Sequence, residues 1–278
     1  MSDRSPITDR GVEGRVTGYG DRAVAQGDTA SRPPAGTAAA PGVPASAPAK
    51  AAPQPAIVTI TIYDPKSRLK GKVAAGIIAR LVRDLNAITR PGLPADHLLK
   101  QLGIRIEIRH LMRMSTPDER YTTGRLDFPI YILNAHTSDA TSAKEIRELM
   151  LDHGIRDAGR GRGQFNDADE AWKDANTEGI GIQPLEGYKK VGFIKGDNVM
   201  KVAKDMEAGF TNVLKHEFGH MCNILGHSST GVMHKGIRLA GGYLDYTDSN
   251  RGIILTELAT LKTISAALLQ QRYERANP

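Results

Sequence analysis

Large apolar residues are nearly missing from the first 55 positions of this 278-residue chain, and from Ile57 onward they recur in two distinct periods. Only the second part can bury enough surface to offset the entropy of ordering it. The stretch SRPPAGTAAAPGVPASAPAKAAPQPA is built mainly from Ala, Pro and Gly. Residues 1–55 are therefore expected to form a disordered or polyproline-like tail, serving as a linker or as a delivery or docking segment. Residues 56–278 make one domain, long enough to form a core without disulfides or a structural metal. The single cysteine, Cys222, excludes an internal disulfide framework.

IVTITIYD, from Ile57, alternates apolar and polar residues and is rich in β-branched side chains, the pattern of a strand. GKVAAGIIARLVRDLNAI then spaces Val73, Ile77, Ile78, Leu81 and Leu85 as a helix does. GIRIEIRHLMR returns to alternation, with Ile104, Ile106 and Ile108 on one face. FPIYILNA and KKVGFIKGD are further strands, and AKEIRELMLDHG is a helix stopped by Gly154. Residues 155–188 are Gly-rich and charged, which predicts loop with one short helix near DADEAWKDAN. That acidic cluster misplaces the Gly and the closing Glu of a calcium loop, so it is taken as an exposed face. One helix is expected to run from near Asn198 through residue 220, and ILTELATLKTISAALLQQRYERA closes the chain as an amphipathic helix. The order predicts a mixed α/β fold, a twisted sheet packed on two helices with a smaller C-terminal part.

No apolar run reaches the roughly 18 residues of a membrane span. The N-terminus, MSDRSPITDRGVEGRVTGYGDR, lacks the apolar core of a secretory signal. The chain is therefore expected to be cytoplasmic as made, with any action outside the cell requiring a specialised export route. The formal net charge of +6 is scattered, with no Lys/Arg block. This describes a solvated surface rather than a nucleic-acid or membrane interface, and a monomer is expected.

Residues 216–220 read His-Glu-Phe-Gly-His. On a helix, residues four apart are offset by only about 40° and lie one turn apart. His216 and His220 can then share one ion, and zinc accepts neutral imidazole nitrogens in tetrahedral geometry. A catalytic zinc takes three protein ligands and leaves its fourth position to a water. Glu217 follows the first ligand and sits beside the metal rather than on it, placed to move that water's proton to a leaving amine. Phe210, Val213 and Leu214 supply an apolar face for the same helix.

The longer stretch HEFGHMCNILGHSSTGVMHKG resembles the metzincin clan of zinc endopeptidases, whose pattern is H-E-x-x-H-x-x-G-x-x-H followed by a Met-turn. His216, Glu217 and His220 match. Asn223 stands where the clan has its glycine, and Asn is the non-Gly residue that best tolerates a left-handed conformation. The clan's third histidine would fall on Gly226, one residue before His227. The flanking LGHSS is like the end of the matrixin motif and aligns His227 with the third ligand, the extra residue being absorbed as a bulge. Gly231-Val232-Met233-His234 resembles the astacin Met-turn, with Met233 as the hydrophobic base under the metal. Lys235 replaces the astacin tyrosine, so no tyrosine switch is implied. The resemblance covers roughly 20 residues in specific terms and is architectural beyond them.

Two other residues compete as third ligand. Asp245, in GGYLDYTD, is loosely like an aspzincin aspartate, and Glu257, on the closing helix, like a thermolysin glutamate. Cys222 is expected in the core, and His97, His110, His136 and His153 on the surface or as satisfied core groups. Tyr243 and Tyr246 could reach an oxyanion, with aromatic packing as the simpler role. The resulting expectation is a zinc-dependent endopeptidase, with His216, His220 and His227 on Zn²⁺ and Glu217 as general base and acid. Its polypeptide substrate would lie extended along an edge strand, either FPIYILNA or KKVGFIKGD. The alternatives are a zinc-binding effector with little proteolysis and a zinc amidase acting on a cell-wall-type crosslink.

Overall fold

A computed structural model describes residues 54–133, 140–155, 179–182, 189–234 and 241–265, together with 267, 268 and 271. The predicted tail, the DADEAWKDAN helix and His136 lie outside the described residues. The fold is mixed α/β, with five strands and seven helices among the described residues.

Strand β1 (Ala56–Tyr63) pairs in parallel with β2 (Ile104–Leu111) on one side and β3 (Asp127–Leu133) on the other. Parallel neighbours need a crossover. Helix α1 (Gly71–Asn86) and the single turn α2 (His97–Lys100) provide it between β1 and β2. Helix α1 buries Ile77, Leu81 and Leu85 of the stripe expected from its periodicity; Ile78 is half-buried, and Ala74 takes the buried place expected of Val73, which is exposed. Asn86 fixes its end to the sheet: its amide donates to the Ile106 carbonyl at 2.9 Å and its oxygen accepts from Ile106 N at 2.9 Å. Ile104, Ile106 and Ile108 are buried on one face of β2 while Arg105 and Arg109 are exposed on the other. The β3 residues Phe128 to Leu133 are all buried, as befits a central strand covered on both faces.

Strand β5 (Val191–Lys195) is parallel to β3, and β4 (Gly179–Ile182) is antiparallel to β5, giving the order β2-β1-β3-β5-β4. Neither strand expected at the sheet edge is there. FPIYIL lies in central β3 and VGFIK forms interior β5, because each is buried on both faces and needs neighbours on both sides. The edge strand beyond them is β4, in a region expected to be loop. Its sequence, GIGI, is short and alternates with glycine, so it carries no strand signal of its own.

Two short helices, α2 and α3 (Pro117–Tyr121), also escaped the apolar pattern. Helix α3 has a capping box: the Thr116 hydroxyl accepts from Glu119 N and the Glu119 carboxylate accepts from Thr116 N. Helix α4 (Ala140–Asp152) ends as expected at Gly154, with φ +75°. Beside it lies His153, a satisfied core histidine. Arg120 Nε donates to Ser115 Oγ, which shares a 2.6 Å bond with the Tyr131 hydroxyl, and Tyr131 meets His153 Nε2 at 2.8 Å. His153 Nδ1 lies 3.0 Å from Thr123 Oγ1, whose own proton goes to main-chain carbonyls. Started from the guanidinium, this chain of donors runs one way, and it closes only if His153 is neutral. Burial, with the nearby cations Lys189 and Arg120, holds its pKa down at about 3.

The helix expected from Asn198 to residue 220 is two helices, α5 (Gly196–Val202) and α6 (Met206–Met221). Asp205 causes the break: its carboxylate accepts from Glu207 N at 2.8 Å and Ala208 N at 3.1 Å, capping a new start. Helix α6 is buried almost all round, against α1, β4 and β5. The Phe218 ring lies 5.0 Å from that of Phe128 in β3. The closing helix α7 (Asp248–Thr263) begins earlier than the sequence pattern suggested, capped by the Thr247 hydroxyl. Among the described residues no helix is long and apolar enough to cross a membrane.

Candidate metal centre

His216 and His220 lie one turn apart near the C-terminal end of α6, and Glu217 between them is 2% exposed. The helix ends directly after His220. Asn223 takes φ +72°, the left-handed conformation expected of it, and Ile224 N donates back to the Gly219 carbonyl at 3.0 Å. This reversal carries the chain back toward the helix and supplies an acceptor: His220 Nδ1 donates to the Ile224 carbonyl at 2.6 Å. The additional residue relative to the metzincin spacing is taken up at the surface. Leu225 is 71% exposed and Gly226 has open space around it, while Ile224 stays buried.

His227 is brought back to the same point by its neighbour. Ser228 pairs with His234, and Ser228 N donates to the Met233 carbonyl at 3.0 Å. Met233 is fully buried beneath α6. Val232, beside it, offers its carbonyl to His216 Nδ1 at 2.7 Å. The turn needs Gly231, with φ +72°, where a Cβ would lie 2.5 Å from the Asp245 carbonyl oxygen.

The ligand atoms of His216, His220 and His227 lie within 4.8 Å of one another, the one such group of His, Cys, Asp or Glu side chains among the described residues. The ring centroids are 4.8, 5.1 and 5.2 Å apart. A carbonyl can only accept, so the Nδ1 atoms of His216 and His220 both carry hydrogen. In the neutral rings, Nε2 is then a bare lone pair. These two lone pairs face each other at 3.2 Å. They repel unless a proton or a metal cation sits between them. Burial, followed by the neighbouring His220, pushes the His216 pKa well down, which disfavours the proton. Tetrahedral zinc with bonds of about 2.0–2.1 Å needs neighbouring nitrogens about 3.3–3.4 Å apart. The His216–His220 pair has the spacing zinc needs, and the three histidines could hold a metal ion.

The rival ligands are elsewhere. Asp245 Oδ1 pairs with Lys215 Nζ at 2.7 Å, and Glu257 is buried on α7; neither belongs to the histidine cluster. Tyr246 donates its hydroxyl to the Lys215 carbonyl, and Tyr243 donates to Glu207 at 2.6 Å beneath the Arg80 guanidinium. Both tyrosines are thus engaged in packing. Cys222 is fully buried, and burial raises its thiol pKa well above the usual value. His110 lies 3.3 Å from the Asp64 carboxylate.

Sequence reasoning missed Gly219, Asn212 and Lys215. At Gly219 a Cβ would sit 2.5 Å from Met233 Sδ, so glycine here lets the turn that carries Met233 close under the helix. Asn212 and Lys215 are polar residues on a buried helix, a signal the apolar periodicity does not report. No protein-family model, curated protein or solved structure matches the chain.

Proposed function

We propose that the chain is a zinc-dependent endopeptidase of metzincin type, with His216, His220 and His227 as metal ligands and Glu217 as general base and acid. The observation that carries this reading is the pair of Nδ1-protonated imidazoles whose bare Nε2 atoms converge at 3.2 Å, with His227 completing the set. A bound zinc supplies a Lewis acid that polarises the scissile carbonyl and acidifies the attacking water. The protein groups do the rest. The carbonyls of Val232 and Ile224 fix the tautomer and orientation of two ligands. Glu217, adjacent to the first of them, accepts the proton of the attacking water and returns it to the leaving amine nitrogen. Its burial excludes bulk water from that exchange. An extended substrate adds to the β4 edge of the sheet, the strand that packs against α6.

Elemental analysis of protein purified without chelator should find one zinc per chain. Peptide-library cleavage should map to internal bonds, stop on chelation and return on adding zinc. Full activity of metal-free protein would overturn the reading. Tightly bound zinc without cleavage of any peptide would leave a binding protein.

A further inference from the structure

Helix α6 carries Asn212 and Lys215 among its buried polar side chains, respectively one turn and one residue before His216. Asn212 is fully buried; its amide donates to the Gly242 carbonyl at 2.8 Å and its oxygen accepts from Leu244 N at 2.8 Å. Lys215 is 1% exposed, and its ammonium donates to the Leu244 carbonyl at 2.5 Å, Asp245 Oδ1 at 2.7 Å and Asp84 Oδ2 at 3.0 Å. A lysine so deeply buried is tolerated only when its donors are matched, and here all three are. Both polar groups of the Leu244 main chain are thus held by side chains of one helix turn, as a neighbouring strand would hold them. The Tyr246 hydroxyl adds a further bond to the Lys215 carbonyl.

The next link leads to the metal centre. The Asp245 carbonyl accepts from Val232 N at 2.8 Å, and the Val232 carbonyl accepts from His216 Nδ1 at 2.7 Å. Segment 242–246 therefore stands between the helix and the turn that orients its first histidine. We infer that Asn212 and Lys215 are positioning residues, which clamp segment 242–246 against α6 and so hold the Val232 carbonyl where it fixes the His216 tautomer. Asp84, on α1, anchors the same ammonium and is itself bonded by Arg80 Nε at 2.8 Å. The clamp joins α1, α6 and the chain after the Met-turn around one buried cation. This inference rests on the proposed metal site.

The test is made on the full chain with zinc as the probe. Lys215→Met keeps length and apolar bulk and removes the charge. Zinc affinity, measured by competition with a chromophoric chelator, should fall about 10–100-fold, the usual cost of losing a group that orients a ligand. In metal-free protein the nitrogen-15 signal of the His216 Nδ1–H should lose its protection from exchange. Asp245→Ala, at a side chain 64% exposed, tests the same clamp should Lys215→Met not fold, and should weaken zinc severalfold. The double variant should be no weaker than the worse single one, because both act through one segment. Unchanged zinc affinity with a protected His216 proton, in whichever single variant folds, overturns the clamp; so does an additive double variant. Wild-type protein that binds no zinc would instead defeat the metal site, and the His216 proton would still report on the clamp.

Discussion

Met233 Sδ lies directly under Gly219, so close that a methyl group on that glycine would come within 2.5 Å of it. One residue sits between the two helical histidines and the other in the turn that supports them. The contact sets the distance between α6 and the Met-turn, and hence the reach of the Val232 carbonyl to His216.

Gly219→Ala should therefore destabilise the fold despite the better helix propensity of alanine. Overpacking a core by one methyl group typically costs about 1–3 kcal/mol, against a helix gain of about 1 kcal/mol. Ile224 Cδ1, at 3.2 Å from the same added atom, limits the escape of the Met233 side chain. Urea unfolding of metal-free protein gives the comparison. In a Met233→Ala background only the Ile224 contact remains, and the penalty should shrink. An equal penalty in both backgrounds would show that the contact is not the cause.

The ligand assignment is separable by metal affinity. His227→Ala removes a direct ligand and should weaken zinc by more than the 10–100-fold expected of an orienting group. Glu257→Ala should leave it unchanged. Asp245→Ala should fall between them, through Lys215. A loss at Glu257 larger than that at His227 would show that the third ligand lies on α7.

How much of this was legible in the sequence depends on range. The strands β1 and β2 follow from alternation, β3 and β5 from short apolar runs, and helix α1 from its helical period, although Val73 of the marked stripe is exposed. The histidine pair follows from helix geometry, and the left-handed Asn223 from the resemblance to the metzincin pattern, whose glycine it replaces. Strand β4 does not: GIGI becomes a strand because β5 offers it an unpaired edge. The Asp205 break in the long helix is a capping choice made by two main-chain amides, not by the apolar pattern. Asp245 competed as a ligand only through a loose likeness to the aspzincin motif. Its true partner, Lys215, is thirty residues away in sequence, and only the fold brings them together.

His153 provides a pH signature independent of metal. Its folded pKa of about 3 lies below the ordinary value of 6.5. The unfolded chain therefore binds a proton that the folded chain refuses. The sign follows: the contribution is fully present above about pH 6.5 and is lost as pH falls toward 3. Between pH 7 and 5, this single group should cost about 2 kcal/mol, at about 1.4 kcal/mol per pH unit below 6.5. His153→Gln keeps a donor and an acceptor but cannot titrate. It should be less stable than wild type at pH 7 and lose less stability on going to pH 5. Parallel stability–pH curves for the two proteins would show that His153 is not the titrating group.

Glu217 gives the sharpest test of catalysis. Its carboxylate is 2% exposed and follows His216 on α6. In the proposed site it is not needed to hold zinc, whose three ligands would be the histidines. Glu217→Gln preserves volume and removes the base. Zinc content and unfolding behaviour should therefore stay at wild-type values. General acid–base assistance is commonly worth about 10²–10⁴ in rate, and one group here serves both proton transfers. The loss in kcat should reach or exceed the top of that range, with KM little changed, because the substrate main chain is bound elsewhere. Glu217→Asp should recover little, since the shorter side chain withdraws the carboxylate by about 1.5 Å, one bond length, and misplacements of that order are costly. A Gln variant that keeps its zinc and cleaves peptides within tenfold of wild type would remove Glu217 from the mechanism.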